Sequence, residues 1–482
     1  MGVSVSVLKN QNQEVKDVLP AWKRINVLVE EDEKSYADPL YFTSFPNEDA
    51  QEKQNRKTNY VNGFYNPSQD LINASGEYIL RQSITRTSTS AEIEAFFSSA
   101  DRSGQSLNDF VKNQISPNLT AYGTVFAVVD KPRAVAQTKA EEMATGMPYL
   151  CVLNPLQVLD WAYAESGDLE WFRYCQGSQQ DRANPFGDIP SSSLEYVTWT
   201  RNDYYRHDNG GNEIESFTHN FGIVPVAIQA AFLIDANKTI GKSTFFSGSR
   251  QIFMGNSLLS KANQEILKYG SVLLMSTMDI DPRQRERDLD PLTNLPMLNS
   301  KTADGNVLST GDMANPPSYL EKDISVVDKA NGQAQKYFEW AAHGEATGQT
   351  AMPLQDAQAA PQSGVAKAYD FKDVDANLHA KAQDLQAMEE QIVSIVANEL
   401  GIKNPVFSIK YPTSFDVDSF EDKIAQVADL ARISFASETG KKIAMKRITN
   451  ELTQDDKERS IINDEIDLSK PPEVVTTKPA FG

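Results

Sequence analysis

The sequence predicts an α+β fold in which an antiparallel sheet packs against long helices. Between Tyr149 and Ile234, apolar and polar residues alternate in short segments separated by turn sequences, which is the pattern of an antiparallel meander. Beyond Gly241 the apolar residues recur at helical spacing instead, most regularly over Gly364–Leu400. A chain of 482 residues corresponds to about three domain-sized units or one elaborate subunit.

The net charge of the chain argues against functions that require tight binding to nucleic acid or to anionic lipid. With 66 acidic and 46 basic residues, the formal net charge is −20, so the surface repels nucleic acid and anionic lipid, and tight clamping of DNA is not expected. Apolar residues make up 40%, which is enough for a real core. The N-terminus has no apolar signal region, and the longest uncharged apolar tract, Phe221–Ile234, is too short to cross a bilayer. We therefore expect a soluble cytoplasmic protein with no membrane partner.

Cysteine and histidine are scarce. The 2 cysteines and 4 histidines form neither a disulfide framework nor a zinc-binding pattern. Cys151 and Cys175 fall in neighbouring predicted strands, where they either face each other or are buried thiols in a reducing compartment. No His, Ser and Asp grouping has the sequence context of a nucleophile. We expect no enzyme activity, no metal and no cofactor.

The chain begins with a polar arm over residues 1–60. Prolines are expected to break any long helix there and leave short ones: Pro20, Pro39 and Pro46. A helix then starts at Asn66-Pro67, and another follows Ser106 as its N-cap. The apolar run "GTVFAVVDKP" predicts a buried strand. The period-two strands follow in the order "YLCVL", "LQVLDWAY", "LEWFRYC", "LEYVTWT", "DYYRH", "EIESFTH" and "IVPVAIQAAFLI".

A heptad pattern marks the helix that follows Gly241. Phe245, Ile252, Leu259 and Ile266 recur every seven residues, and small residues, Gly248, Gly255 and Ala262, come three positions after the first three of them. The pattern predicts a long helix packed closely on another helix, with an ordinary core helix as the alternative. Each interior glycine costs about 1 kcal/mol of helix propensity, which close approach has to offset.

The remaining chain alternates between broken and helical patterns. Residues 277–325 have room only for short strands such as "PMLNS" and "NVLST". A helix is predicted over Ile324–Ala342, then a loop rich in Gln and Ala, then the long helix that Gly401 ends. "PVFSIKY" is one more strand, residues 417–469 are short helices, and the last dozen residues are a loose tail.

One motif suggests nucleotide chemistry. Ala236 to Ser243 spells a phosphate-binding loop whose first glycine is alanine, ending in Gly241-Lys242-Ser243. Such a loop also needs an acidic residue after a second apolar strand. The best candidate, Asp130, comes about a hundred residues earlier, and the preceding strand belongs to an antiparallel meander. We interpret the motif as a chance match that marks the turn into the helix. An ATPase using these residues is the alternative.

The order of these parts resembles the portal protein of tailed bacteriophages. The similar stretches are "SLNDFVKNQISPNLTAYGTVFAVVDKP", "MPYLCVLNPLQVLDWAY", "FTHNFGIVPV" and "QSGVAKAYDFKDVDANLHAKAQDLQAMEEQIVSIV", which span roughly residues 60 to 410. The resemblance implies a dodecameric ring at one capsid vertex, assembled in the bacterial cytoplasm. It implies as partners other copies of the chain, double-stranded DNA in the channel, the packaging ATPase (terminase), capsid and scaffold proteins, and head–tail adaptor proteins. Another virion ring or head-completion protein is the structural alternative.

The resemblance also implies a domain order. It consists of the arm (1–60), an α+β wing with its antiparallel sheet (61–240), stem helix 1 (241–276), the clip (277–323), stem helix 2 (324–345), the tunnel loop (346–363), the long wing helix and strand (364–415), a helical crown (416–469) and a flexible tail (470–482).

Functional residues follow from those positions. We expect the tunnel-loop side chains to touch DNA transiently: Gln349, Gln355, Gln358 and Gln362. The clip contains a basic run that is either a docking patch or a solvated turn: Arg283, Arg285 and Arg287. The heptad residues and glycines would pack the stem helices of neighbouring subunits.

Overall fold

The computed structural model describes residues 3–45, 48, 50–132, 146–177, 194–219, 221–233, 238–270, 301–302, 305–306, 325–347, 364–412, 415, 446 and 465. The chain divides into two compact units, Met1–Ser414 and Phe415–Gly482. The described residues lie almost entirely in the first unit, and the architecture below is that of this unit. The expected crown and tail lie outside the described residues, apart from residues 446 and 465.

The first unit contains the following helices among its described residues. They are α1 (Val5–Leu8), α2 (Gln13–Val29), α3 (Glu33–Tyr36), α4 (Ala50–Asn62), α5 (Ser68–Leu80), α6 (Ala91–Ser98), α7 (Leu107–Phe110), α8 (Ser116–Tyr122), α9 (Phe245–Gly270), α10 (Ser325–Thr347) and α11 (Gly364–Glu399). A π-helical turn, Val111–Ile115, joins α7 to α8, and a 3-10 turn, Pro155–Gln157, lies directly before Val158.

The strands form antiparallel sheets, so the α+β prediction is confirmed. The strands are β1 (Thr85–Ser88), β2 (Thr124–Asp130), β3 (Tyr149–Leu153), β4 (Val158–Tyr163), β5 (Leu169–Gly177), β6 (Leu194–Thr200), β7 (Asp203–His207), β8 (Glu213–Thr218), β9 (Val226–Ala230), β10 (Lys301–Thr302), β11 (Gly305–Asn306) and β12 (Phe407–Lys410). A five-stranded meander runs β4-β5-β6-β7-β8, and a three-stranded sheet has the order β3-β2-β9.

The prediction of a single meander is wrong in one respect, because its first and last strands, β3 and β9, belong to the three-stranded sheet. β3 and β9 both pair with β2, whose residues are buried as far as Val129. A strand buried on both faces needs a partner at each edge, and these two strands supply them. Cys151 and Cys175 consequently lie in different sheets, on β3 and β5. Both are free thiols, and Cys151 is exposed, so neither a facing pair nor two buried thiols describes them.

The expected effect of Pro20 is also wrong. α2 continues through Pro20 for 17 residues and buries Trp22 and Ile25 against the core. The Trp22 indole N–H donates to the Tyr122 carbonyl at 2.9 Å, which ties α2 to α8. Burial of this face offsets the roughly 3 kcal/mol that an interior proline costs a helix.

Two helix boundaries follow their sequence signals, and that of α10 differs from the prediction. The Ser106 hydroxyl accepts a hydrogen bond from the Asp109 N–H and caps α7 as expected. α11 ends at Glu399, and Gly401 follows with φ 68°. α10 runs to Thr347, beyond the predicted end at Ala342. β12 was predicted, whereas its partner β1 was not. Over the described residues, no helix is long and apolar enough to cross a membrane.

Candidate functional site

The turn before α9 holds the phosphate-loop motif in a closed arrangement. The Gly241 N–H donates to the Thr124 hydroxyl at 2.8 Å, and the Lys242 N–H donates to the Phe232 carbonyl at 3.0 Å. The Ser243 hydroxyl donates to the Ala121 carbonyl at 2.6 Å. These groups, which a phosphate loop directs at its ligand, are thus used inside the protein. Ala236 lies outside the described residues.

Two glycines allow the backbone of this turn to approach β2. A Cβ on Gly241 would lie 2.5 Å from the Gly123 carbonyl oxygen. Gly123 itself has φ 75°, and a Cβ there would lie 2.4 Å from the Ser243 nitrogen. The glycine of the motif is therefore explained by a backbone crossing at the start of α9.

α9 and α10 form a closely packed antiparallel pair, as the small residues of the heptad pattern predicted. A Cβ built on Gly255 would lie 2.9 Å from the end of the Phe338 ring, and one on Gly248 would lie 3.6 Å from the Ala341 Cβ. Both glycines face a helix of their own chain. Their expected contact with a neighbouring subunit remains a prediction.

The apolar heptad positions change character along α9. Phe245 and Ile252 are fully buried, Leu259 is half-buried and Ile266 is 45% exposed. The stripe is thus a core stripe at the start of the helix and a partly open one towards Gly270. The predicted stem residues 271–276 lie outside the described residues.

A buried ion pair joins the end of this helix pair to α11. Lys381 on α11 donates to Glu345 on α10, and both side chains are at most 10% exposed. The Thr244 hydroxyl, just before α9, donates to the second oxygen of Glu345 at 3.0 Å. The Lys381 ammonium also donates to the Ser75 hydroxyl on α5 at 3.0 Å. Burial raises the pKa of Glu345, while the charge of Lys381 acts against this shift. We call these four side chains the polar junction.

Backbone groups reinforce the polar junction. The Asn377 amide donates to the carbonyls of Glu345 and Ala346 at 3.1 and 3.0 Å. These acceptors belong to the last turn of α10, whose carbonyls have no partner within the helix. α11 therefore caps α10, and the polar junction joins the end of α10 and the start of α9 to the middle of α5 and of α11.

A second buried ion pair holds the C-terminal half of α11 in place. Arg86 on β1 binds Glu389 through two hydrogen bonds of 2.8 and 2.7 Å. The Tyr411 hydroxyl donates to the same carboxylate. Such a bidentate pair positions β1, α11 and the end of β12 together.

The remaining polar groups offer little chemistry. A cavity of about 400 Å³ lies between the two main sheets. At its wall the Tyr149 hydroxyl donates to Asp130 at 2.6 Å, and the Arg102 guanidinium carbon lies 4.0 Å from the Tyr149 ring centroid. Among the described residues, no group of three His, Cys, Asp or Glu side chains could hold a metal ion.

The structure thus places only part of the expected site. The heptad residues and glycines lie on α9, whereas two expected groups lie outside the described residues: Arg283, Arg285 and Arg287 of the clip, and Gln349, Gln355, Gln358 and Gln362 of the tunnel loop. Sequence reasoning missed the polar junction. A signal for it exists, because Glu345 and Lys381 fall on the apolar stripes of their helices, where a charge needs a buried partner.

Comparison with known proteins adds limited information. No family model matches the sequence, and no curated protein matches it. One solved structure with a similar chain is described as the neck of an empty GTA particle computed with C6 symmetry. That chain is 13% identical, the alignment covers 81% of this chain and 89% of that one, and the TM-score is 0.36. At that identity and TM-score the likeness supports no functional conclusion.

Proposed function

We propose that this chain is a structural subunit of a bacteriophage virion neck, and specifically the portal protein. In this proposal, copies of the chain form a dodecameric ring at one capsid vertex. Double-stranded DNA passes through the ring during packaging and ejection. The packaging ATPase docks on the ring first, and head–tail adaptor proteins replace it later.

The observation that carries the proposal is the antiparallel pair of α9 and α10 with its polar junction. Because the pair is antiparallel, residues 271–324 leave and rejoin it at one end, and residues 348–363 connect to α11 at the other. A stem between a clip and a tunnel loop requires this connectivity. The buried ion pair holds the tunnel-loop end firmly, which suits an element that must keep its position while DNA moves past it.

The charge of the chain supports a conduit rather than a clamp. Each phosphate that a protein neutralises adds salt-dependent affinity for DNA, and a conduit that gripped phosphates would stall DNA. A net charge of −20 keeps that affinity low. We propose that the glutamines of residues 346–363 make transient, uncharged contacts with the duplex.

Electron microscopy of the purified full-length protein tests the proposal. We expect class averages with twelvefold or similar symmetry and an open centre along the ring axis. Monomers, or a sixfold ring that changes shape with ATP, would overturn it. Packaging efficiency that stays unchanged after deletion of residues 349–360 would overturn the tunnel-loop assignment alone.

A pull-down distinguishes a portal from another head-completion ring. A portal binds the packaging ATPase through residues 277–323, so replacing Arg283, Arg285 and Arg287 with alanine should weaken that binding while leaving the ring intact. A ring that never binds the ATPase points to the other kind of neck protein.

A further inference from the structure

Two arginines near the start of α9 have no ion-pair partner in the part of the chain that the structure describes. The guanidinium carbons of Arg24 on α2 and Arg250 on α9 lie 5.2 and 4.7 Å from the centroid of the Phe246 ring. No carboxylate of the described residues forms an ion pair with either arginine. The Arg24 Nε is buried without a hydrogen-bond partner in the described part of the chain. Burial and the nearby charge of Arg250 lower the pKa of Arg24. Two adjacent arginines with no carboxylate partner among the described residues are suited to bind an anionic partner.

Apolar side chains are exposed beside these arginines. Met254, one helical turn beyond Arg250, is 46% exposed. Leu40 is 82% exposed, and its neighbour Tyr41 stacks on Phe253 of α9 at 4.6 Å. We call Arg24, Leu40, Phe246, Arg250 and Met254 the basic face. An interaction site typically combines aromatic, Met and Arg side chains in this way.

α10 carries a surface of the opposite charge. Its exposed positions recur at helical spacing, and we call four of them the acidic face: Asp328, Gln335, Glu339 and Ala342. Neither Asp328 nor Glu339 forms an ion pair with a described residue. Two lysines flank this face: Lys329, which is exposed, lies about 100° around the helix from Asp328, and Lys336, which is half-buried, lies about 60° from Glu339.

The two faces lie at the same height along the helix pair. Gly248 faces Ala341 and Gly255 faces Phe338, so Arg250 stands at about the height of Glu339. A rotation about an axis along the helices changes no height. A second copy related by such a rotation can therefore present Glu339 level with Arg250.

We propose that the basic face of one subunit docks on the acidic face of the next subunit, with Arg250 opposite Glu339. This contact is head-to-tail, and repeated by rotation it closes a ring. It rests on the proposed ring function and names the contact that builds the ring. Each copy supplies carboxylates to its neighbour's arginines, and neither set has an ion-pair partner among the described residues of its own chain.

Charge reversal in the full-length chain tests the contact. Arg250→Glu alone and Glu339→Arg alone should each raise the subunit concentration needed for half-assembly by at least about tenfold, because each variant places like charges opposite one another. An equal mixture of the two variants should assemble within about threefold of the wild type, since every interface in an alternating ring then pairs opposite charges. Mass photometry and negative-stain microscopy read the assembly directly.

Controls separate the contact from misfolding and from the ring itself. Lys9→Glu makes the same charge change at an exposed residue that belongs to neither face, and this variant should assemble normally. Rescue by mixing cannot come from variants that fail to fold. If the wild type forms rings and either single variant does too, the contact is wrong while the ring proposal stands. A wild type that stays monomeric overturns both. If Arg250→Glu leaves the ring intact but weakens binding of a short DNA duplex, the basic face is a phosphate site instead.

Discussion

The polar junction allows a demanding test of the structure. Replacing Lys381 with methionine removes the ammonium but keeps much of the side-chain volume. Among the described residues, the side chain of Glu345, which is 4% exposed, would then keep the Thr244 hydroxyl as its hydrogen-bond donor. Breaking a buried ion pair from one side costs about 3–5 kcal/mol, because a desolvated charge is left unpaired. We expect the free energy of unfolding, measured by urea titration, to fall by that amount.

The double variant Lys381→Met, Glu345→Gln supplies the decisive comparison. It removes both charges, so its stability should return to within about 1 kcal/mol of the wild type. The exposed pair of Lys112 and Glu77, 3.6 Å apart, is the matched control, and Lys112→Met should cost less than about 1 kcal/mol. If Lys381→Met costs no more than Lys112→Met, or the double variant is as unstable as the single one, the junction is not a buried ion pair.

The stability of the Lys381→Met variant should also depend on pH. Burial raises the pKa of Glu345, and removing Lys381 takes away the main opposing charge. A carboxyl whose pKa is higher in the folded state than in the unfolded state favours folding below the unfolded pKa of about 4.3. That contribution is lost as the pH rises through the folded pKa. Lys381→Met should therefore be closest to the wild type in stability at about pH 4 and furthest from it at about pH 8.

Three further predictions concern glycines and a buried carboxyl. Gly332→Ala should stabilise α10 by about 1 kcal/mol, because a Cβ at this position contacts no other atom. Gly255→Ala should give no gain in stability, because its methyl group would collide with the facing helix. Equal gains for the two variants in thermal unfolding would contradict the packing of α9 on α10. Gly104→Ala should lower the free energy of unfolding by about 1–2 kcal/mol, the cost of the left-handed conformation for a residue with a side chain. Gly123→Ala should lower it clearly more, because a Cβ there also collides with backbone atoms. Equal losses would refute the close crossing of the two backbone segments. Burial raises the pKa of Asp384 to about 6, so between pH 4 and pH 6 the wild type should lose up to about 2 kcal/mol of stability relative to Asp384→Asn, and parallel pH profiles of the two proteins would contradict this.

Local patterns predicted most of the secondary structure correctly. Period-two alternation located the strands of the five-stranded sheet, and helical spacing located α9, α10 and α11. The N-cap Ser106 and the terminating Gly401 were readable because each acts within one turn of its own helix. The small residues of α9 predicted close packing on another helix, because two helices approach closely only where the side chains between them are small.

The sequence by itself determined which residues form helices and strands and which faces are apolar, because these depend on spacing within one segment. Only the tertiary structure decided the partners. It paired β3 with β2 instead of β4, carried α2 through Pro20, and brought Glu345 together with Lys381, which lies on the next helix and 36 residues further along the chain. Those outcomes depend on burial and charge across the whole unit, and a buried charge signals that it needs a partner without indicating which residue will supply it.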